Sequence, residues 1–146
     1  MTRWAGIDYG RRRIGLALSD PGEKIASPGG VLDAVGTVSG DARQVLGWAA
    51  ETEVEGFVVG LPLNMDGSRG PQAQLSQDFA DQLRRLGSLP VELWDERLSS
   101  FQADELMQSA GLTPAQQKKH RDALAAQVIL QSFLDARQAP NQPEEE

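Results

Sequence analysis

Three acidic residues stand where acids are costly. Asp8 closes Trp4-Ala5-Gly6-Ile7, an apolar run that reads as a short strand. Glu96 follows Val91-Glu92-Leu93-Trp94-Asp95 at the C-terminal end of another strand, the end where open α/β sheets bind ligands. Asp122 lies four residues before Ala126, seven before Ile129 and eleven before Phe133, on the apolar stripe of a helix. Singly, each has an ordinary explanation: a strand-end Asp bonded to its turn, Glu96 paired with Arg97, Asp122 neutralised by Lys118, Lys119 and Arg121. A buried carboxylate must be paired, protonated or ligating a cation, and three that converge suggest a divalent cation between them. Donors that are all oxygen suit Mg²⁺ or Mn²⁺ rather than zinc. Two such ions, about 3.5–4 Å apart, would activate water and stabilise the leaving oxygen of a phosphodiester. His120 is the only histidine and cysteine is absent, which leaves almost no material for triad or zinc chemistry.

The elements that must position these acids follow from the pattern. After Asp8, Gly10 and Arg11-Arg12-Arg13 break the first strand, and Ile14, Leu16 and Leu18 then alternate with Gly15, Ala17 and Ser19. That period of two makes a hairpin of residues 4–20. Ile25 to Leu32 reads as an edge or bulged strand interrupted by Pro28-Gly29-Gly30. Ser39 or Asp41 is expected to cap a helix running to about Thr52, with Val45, Leu46 and Ala49 inward. Gly56 to Gly60 is continuously apolar, as in a strand covered on both sides. Leu75, Phe79, Leu83 and Leu86 place a helix over about 71–86, and Pro90 to Trp94 is a further strand. A capping box at Ser99 and Gln102 starts a helix that Gly111 ends. Thr113-Pro114 starts the last helix, to about Ala136, with Ala125, Ala126, Ile129 and Phe133 on one stripe. The expected fold is an α/β layer with a mixed sheet, an antiparallel hairpin followed by parallel crossovers. Residues 1–137 form the domain, and 138–146, QAPNQPEEE preceded by Arg137, read as a disordered acidic tail.

Composition bounds the function. A chain of 146 residues can bury a real core, and no apolar run is long enough to span a membrane. No secretory leader is expected, and the lack of cysteine fits the cytoplasm. The net charge of −7 disfavours a generic electrostatic nucleic-acid binder. Yet Arg11, Arg12, Arg13, Arg97, Lys118, Lys119 and Arg121 all crowd around the three acids, where they could grip phosphates. The loop Gly60 to Gly70 lacks the ending of a P-loop. Its place after a buried strand suits a substrate-positioning loop, in which Ser68 and Arg69 would meet the nucleic acid.

Four separated motifs, in order, resemble the YqgF (RuvX) family: Asp8-Tyr9-Gly10 with Arg13-Ile14-Gly15-Leu16-Ala17 and Ser19-Asp20; Gly60-Leu61-Pro62 with Gly67-Ser68; Asp95-Glu96-Arg97-Leu98-Ser99-Ser100; and Asp122-Ala123-Leu124-Ala125-Ala126 with Ile129-Leu130-Gln131. The resemblance covers about residues 3–136. It implies an RNase H-like fold, a five-stranded mixed sheet with helices on both faces. It also implies a metal-dependent, RuvC-like nuclease acting on the 5′ end of the 16S ribosomal RNA precursor or on Holliday junctions. Asp8, Glu96 and Asp122 would then be the catalytic, metal-binding acids. RuvC-type resolvases present four acids, the last two three residues apart on the final helix. Here positions 119 and 125 are Lys and Ala, so a fourth acid would have to be Asp95. Resolving two strands symmetrically would require a homodimer. Two rivals compete. Asp8-x-Gly before a hairpin also opens actin and sugar-kinase domains, but those need two domains to enclose ATP. A catalytically silent nucleic-acid-binding protein of the same fold would need the basic residues and not the acids.

Overall fold

A computed structural model describes residues 3–98 and 114–138, with side chains described for 3–98 and 123–137. The elements run β1 (Trp4–Tyr9), β2 (Arg13–Ser19), β3 (Ala26–Asp33), α1 (Val38–Thr52), β4 (Gly56–Leu61), α2 (Pro71–Leu86), β5 (Val91–Asp95), a 3₁₀ turn (Glu96–Leu98) and α3 (Pro114–Gln138). They build one five-stranded sheet in the order β3-β2-β1-β4-β5. β1 pairs antiparallel with β2 and parallel with β4, and β4 pairs parallel with β5. The C-terminal ends of β1, β4 and β5 therefore share one edge of the sheet. The expected helix over 99–111 and the tail beyond residue 138 lie outside the described residues.

Strand alternation divides the core in two. Ala5, Ile7 and Tyr9 of β1 join Ile14, Leu16, Phe57 and Val59 beneath α1 and α2, where Val45, Phe79 and Leu83 complete the layer. Trp4, Ala17 and Val58 face the other way and meet Ala126, Ile129, Leu130 and Phe133 of α3. This is why β4 is buried along its whole length and carries no polar face. On α3, Ala126, Ile129 and Phe133 are buried as their stripe predicts. Ala125 is only half-buried, while Ala123, Val128, Leu130 and Leu134 widen the covered face.

Small residues let α3 come close. A Cβ on Gly6 would sit 2.7 Å from Leu130 Cβ and 2.8 Å from the Ala126 carbonyl oxygen, so the helix rests on the backbone of β1. Trp4 then packs edge-on to Phe133 at 5.0 Å, and Trp94 meets the same ring at 5.7 Å. Trp94 Nε1 donates to Ser132 Oγ at 3.0 Å. At the start of β3, Ala26 N donates to Gln131 Oε1 at 2.9 Å and the Ala26 carbonyl accepts from Gln127 Nε2 at 3.1 Å.

The edge position of β3 is as expected, with its bulge at Gly29: Leu16 pairs with Gly30 and Ala17 with Pro28. The cap of α1 differs from expectation. Thr37, not Ser39 or Asp41, caps the helix, its hydroxyl accepting from Gly40 N at 3.0 Å. Asp41 is 2% exposed and points inward, accepting from Tyr9 Oη at 2.5 Å and from Val35 N at 2.7 Å.

The close approach at Gly6 makes a prediction. Gly6→Ala must displace α3 and should cost about 1–3 kcal/mol, read as a lower melting temperature. Gly47→Ala, inside α1 with open space where its Cβ would go, should instead raise it by the propensity gain of up to about 1 kcal/mol.

Candidate active site

Asp8 and Glu96 reach one site because of strand parity. Asp8 alternates with Ile7 and Tyr9, so it shares the α3 face of the sheet with Trp4 and Gly6. Gly60 pairs with Trp94, and a Cβ on Gly60 would lie 2.6 Å from Glu96 Oε2 and 2.5 Å from Ile129 Cδ1. The missing side chain is the space that the Glu96 carboxylate occupies. Glu96 is half-buried there. Burial, then the negative charges of Asp8 and Asp95, push its pKa up to about 7 from the ordinary 4.5. Hard oxygen donors that repel one another are the donor set a divalent cation neutralises.

Asp122 lies in α3 one turn before Ala126, the residue whose carbonyl meets Gly6. Trp4 lies against Phe133 and Gly6 against Leu130, so α3 runs antiparallel to β1 and position 122 comes level with the Asp8 end. Its side chain, with those of Lys118, Lys119, His120 and Arg121, lies outside the described ones. Among the described residues no group of three or more His, Cys, Asp or Glu side chains gathers.

The adjacent acids part company where β5 ends and the 3₁₀ turn begins. Asp95 does not join Glu96. Both its oxygens accept from Arg97, Nη2 at 2.7 Å and Nε at 3.1 Å to each, and these bonds hold the carboxyl below its usual range. In place of the Glu96–Arg97 pair that would be the ordinary explanation, the structure pairs Asp95 with Arg97. The 3₁₀ turn causes this exchange, since it folds Arg97 back beside Asp95 and turns Glu96 toward Gly60.

Other expected contacts divide. Arg11, Arg12 and Arg13 are exposed at the hairpin, on the sheet edge that carries the site. Arg11 lines a cleft of about 350 Å³ with Tyr9, Thr37, Val38 and Leu75, on the face opposite Asp8. Ser68 is exposed but engaged within its loop, donating to Asp66 Oδ1 at 2.6 Å and accepting from Asn64 Nδ2 at 2.9 Å. Arg69 donates to Gln77 Oε1 at 2.8 Å. Two contributors escaped the sequence reading. Gln72 Nε2 donates to the Tyr9 carbonyl at 3.0 Å and ties α2 to the residue after Asp8. Asp41 anchors Tyr9 from below, burial first and then this carboxylate raising the phenol's pKa. Neither has a local signal, because the partners are 63 and 32 residues apart.

Comparison with known proteins places the chain. A family model described as RuvX, Holliday junction resolvase, matches residues 2–136. A protein of Chloroflexus aurantiacus named "Putative pre-16S rRNA nuclease" is 45% identical over 140 residues, covering 95% of this chain and 91% of its own. One of the same name from Anaeromyxobacter sp. (strain Fw109-5) is 44% identical over 137 residues, covering 94% and 99%. Among solved structures, Thermus thermophilus RuvC in complex with a Holliday junction substrate superposes with a TM-score of 0.58 at 19% identity, covering 95% and 97%. Fowlpox virus resolvase with junction DNA gives 0.57 at 10% identity, covering 93% and 99%. The shared fold is the RuvC-like RNase H fold with a five-stranded mixed sheet, as the family resemblance implied.

The raised pKa of Glu96 sets a pH dependence. A carboxyl with a higher pKa in the fold binds its proton more tightly when folded. Its contribution to stability is full below about pH 4.5 and is lost as the pH rises through about 7. Glu96→Gln should therefore melt higher than wild type at pH 8, and the two should converge near pH 4.5. A difference that does not vary with pH would contradict this electrostatic origin.

Proposed function

Since the chain belongs to the RuvX family, we propose that it is a metal-dependent endonuclease that hydrolyses phosphodiester bonds in structured nucleic acid. Its proposed substrates are the 5′ end of precursor 16S ribosomal RNA and four-way DNA junctions. The observation that supports this most directly is Glu96 confronting Asp8 beside Gly60, two carboxylates gathered at the strand ends of a RuvC-like sheet. Asp8, Glu96 and Asp122 are the residues proposed to hold Mg²⁺ or Mn²⁺. Bound there, one or two such ions would supply an activated water and charge stabilisation at the scissile phosphate.

The chain's own residues do the rest. Asp8 and Glu96 bring negative charge to one point and hold it there through β1 and the 3₁₀ turn. Gly60 leaves room for the Glu96 carboxylate, and Ile129 walls the site on its α3 side. Arg11, Arg12 and Arg13, with Lys118, Lys119 and Arg121, are assigned to phosphates flanking the cut, and Ser68 and Arg69 to the rim. Contacts of this kind read backbone shape rather than base identity, which accommodates RNA and DNA alike. Symmetric incision of a junction needs two sites and hence a homodimer, whereas trimming an RNA end needs one copy.

The test is cleavage by purified protein of a four-way junction and of a precursor 16S transcript. Activity should appear with Mg²⁺ or Mn²⁺, be poor with Ca²⁺ and vanish in EDTA. Cutting undiminished by chelator would defeat the metal assignment, and binding without cutting would favour the silent-binder alternative. Asp8→Asn should abolish cleavage and spare nucleic-acid binding. Its metal-free melting temperature should equal or exceed that of wild type, and added metal should stabilise it less. Replacing Arg11, Arg12 and Arg13 with Ala should flatten the salt dependence of affinity, by a slope of about 0.7–0.9 for each phosphate no longer gripped.

A further inference from the structure

We propose that Arg97 is a positioning residue that locks the 62–70 loop to the end of β5 and thereby sets both the rim of the site and the aim of Glu96. The proposal rests on the nuclease reading above. It reassigns a side chain whose place beside Glu96 suggested a phosphate contact.

The guanidinium is committed on two sides. Nε and Nη2 bind the Asp95 carboxylate, and the Arg97 backbone N–H donates to Asp95 Oδ1 at 2.9 Å. Nη1 donates to the Met65 carbonyl of the loop, at 3.2 Å. The loop is built to receive it. Gly67 adopts φ +88°, a left-handed conformation that favours glycine, and a Cβ there would lie 3.7 Å from Arg97 Nη1. Around that turn Asn64 N donates to the Ser68 carbonyl at 2.9 Å and Gly67 N to the Asn64 carbonyl at 2.8 Å. Ser68 N donates to Asp66 Oδ1 at 2.9 Å. Residues 64–68 are therefore closed on themselves by hydrogen bonds, and Arg97 bolts this turn to the strand.

Glu96 stands between Asp95 and Arg97 in the chain. Pairing its two neighbours closes the 3₁₀ turn on the side away from α3, leaving Glu96 directed at Gly60. The bonds to Asp95 and Met65 use three of the five N–H groups of the fork, so a phosphate could reach only the remaining Nη1 and Nη2 hydrogens, and a latch and a phosphate contact are separated by experiment. Met65, 90% exposed on the tip of the loop, owes its position to the same bond.

Arg97→Ala, Arg97→Lys and Asp95→Asn separate the two roles, with kcat, affinity across a salt series and amide hydrogen exchange of residues 63–70 as readouts. A latch predicts that both Arg97 variants fall about ten- to hundred-fold in kcat, the scale of a small misplacement at a reacting centre. Affinity and its salt slope should stay at wild-type values, and amides of 64–68 should exchange faster. Lys should not rescue, since one ammonium cannot span Asp95 and the Met65 carbonyl as a planar fork does. Asp95→Asn should act in the same direction, and Asp95→Asn with Arg97→Ala should be no worse than the worse single variant. A salt slope that falls by about 0.7–0.9 in Arg97→Ala and returns with Lys would identify a phosphate contact and overturn the proposal. Wild-type exchange rates in the loop of Arg97→Lys would also overturn it. If Arg97→Ala does not fold, Arg97→Lys and Asp95→Asn decide by the same readouts. Should the wild-type protein cut nothing, the nuclease reading fails separately, and loop exchange still decides whether Arg97 is a latch.

Discussion

The seating of α3 on the backbone of β1 governs this molecule. It exists because position 6 has no side chain, and its reach extends to the chemistry. With α3 resting on Gly6, the aromatic cluster of Trp4, Trp94 and Phe133 closes one end of the interface. Ile129 abuts Gly60 further along, and position 122 comes level with the Asp8 end of β1. Close packing of this sort is not adjustable by fractions of an ångström, because interiors are as dense as molecular crystals. The separation between helix and sheet thus sets how near the acids of the two layers can come.

The two faces of the sheet treat their acids in opposite ways. On the α1 face, Tyr9 meets Asp41, a carboxylate almost wholly buried yet supplied with a phenolic O–H and a backbone N–H. That acid has its donors and belongs to the scaffold. On the α3 face, Glu96 is buried against Asp8 and its proton affinity rises steeply. A carboxylate pressed against a second one in a cleft is a liability to the fold and an asset to a metal-binding reaction. Beside it stands Asp95, whose charge is absorbed by Arg97. Burial alone would not have ranked these three; the groups around each carboxylate do.

Much of this was legible in the residues. The alternation of Ile14, Leu16 and Leu18, the unbroken apolar run at Gly56–Gly60 and the spacing of Phe79 and Leu83 each report a single local period, and each of these elements formed where expected. The end of β5 before Glu96 was legible too, although it is the 3₁₀ turn after Asp95 that directs the Glu96 carboxylate at Gly60. What was missed depends on partners far away in sequence. Asp41 has the composition of a helix cap, and Tyr9, two strands away in the chain, joins Val35 N in explaining why it turns inward. Arg97 read as a phosphate contact, with Glu96 as the ordinary alternative partner, and only the 3₁₀ turn shows it beside Asp95. The need for glycine at position 60 is invisible without knowing that a carboxylate occupies the space.

The embrace of the first strand by a helix that follows every strand also bears on how the protein comes to exist. Hydrogen bonds such as that from Ala26 to Gln131 join residues 105 apart, so this half of the core is assembled from the two extremes of the fold. Separations of that size slow folding, because the loop must close before any pairing rewards it. During synthesis, a nascent chain lacking α3 would expose Trp4, Ala17 and Val58 to water and would carry Asp8 and Glu96 without position 122. The α3 half of the core, and with it the placing of position 122 level with the Asp8 end of β1, is therefore complete only once the last described helix has been made.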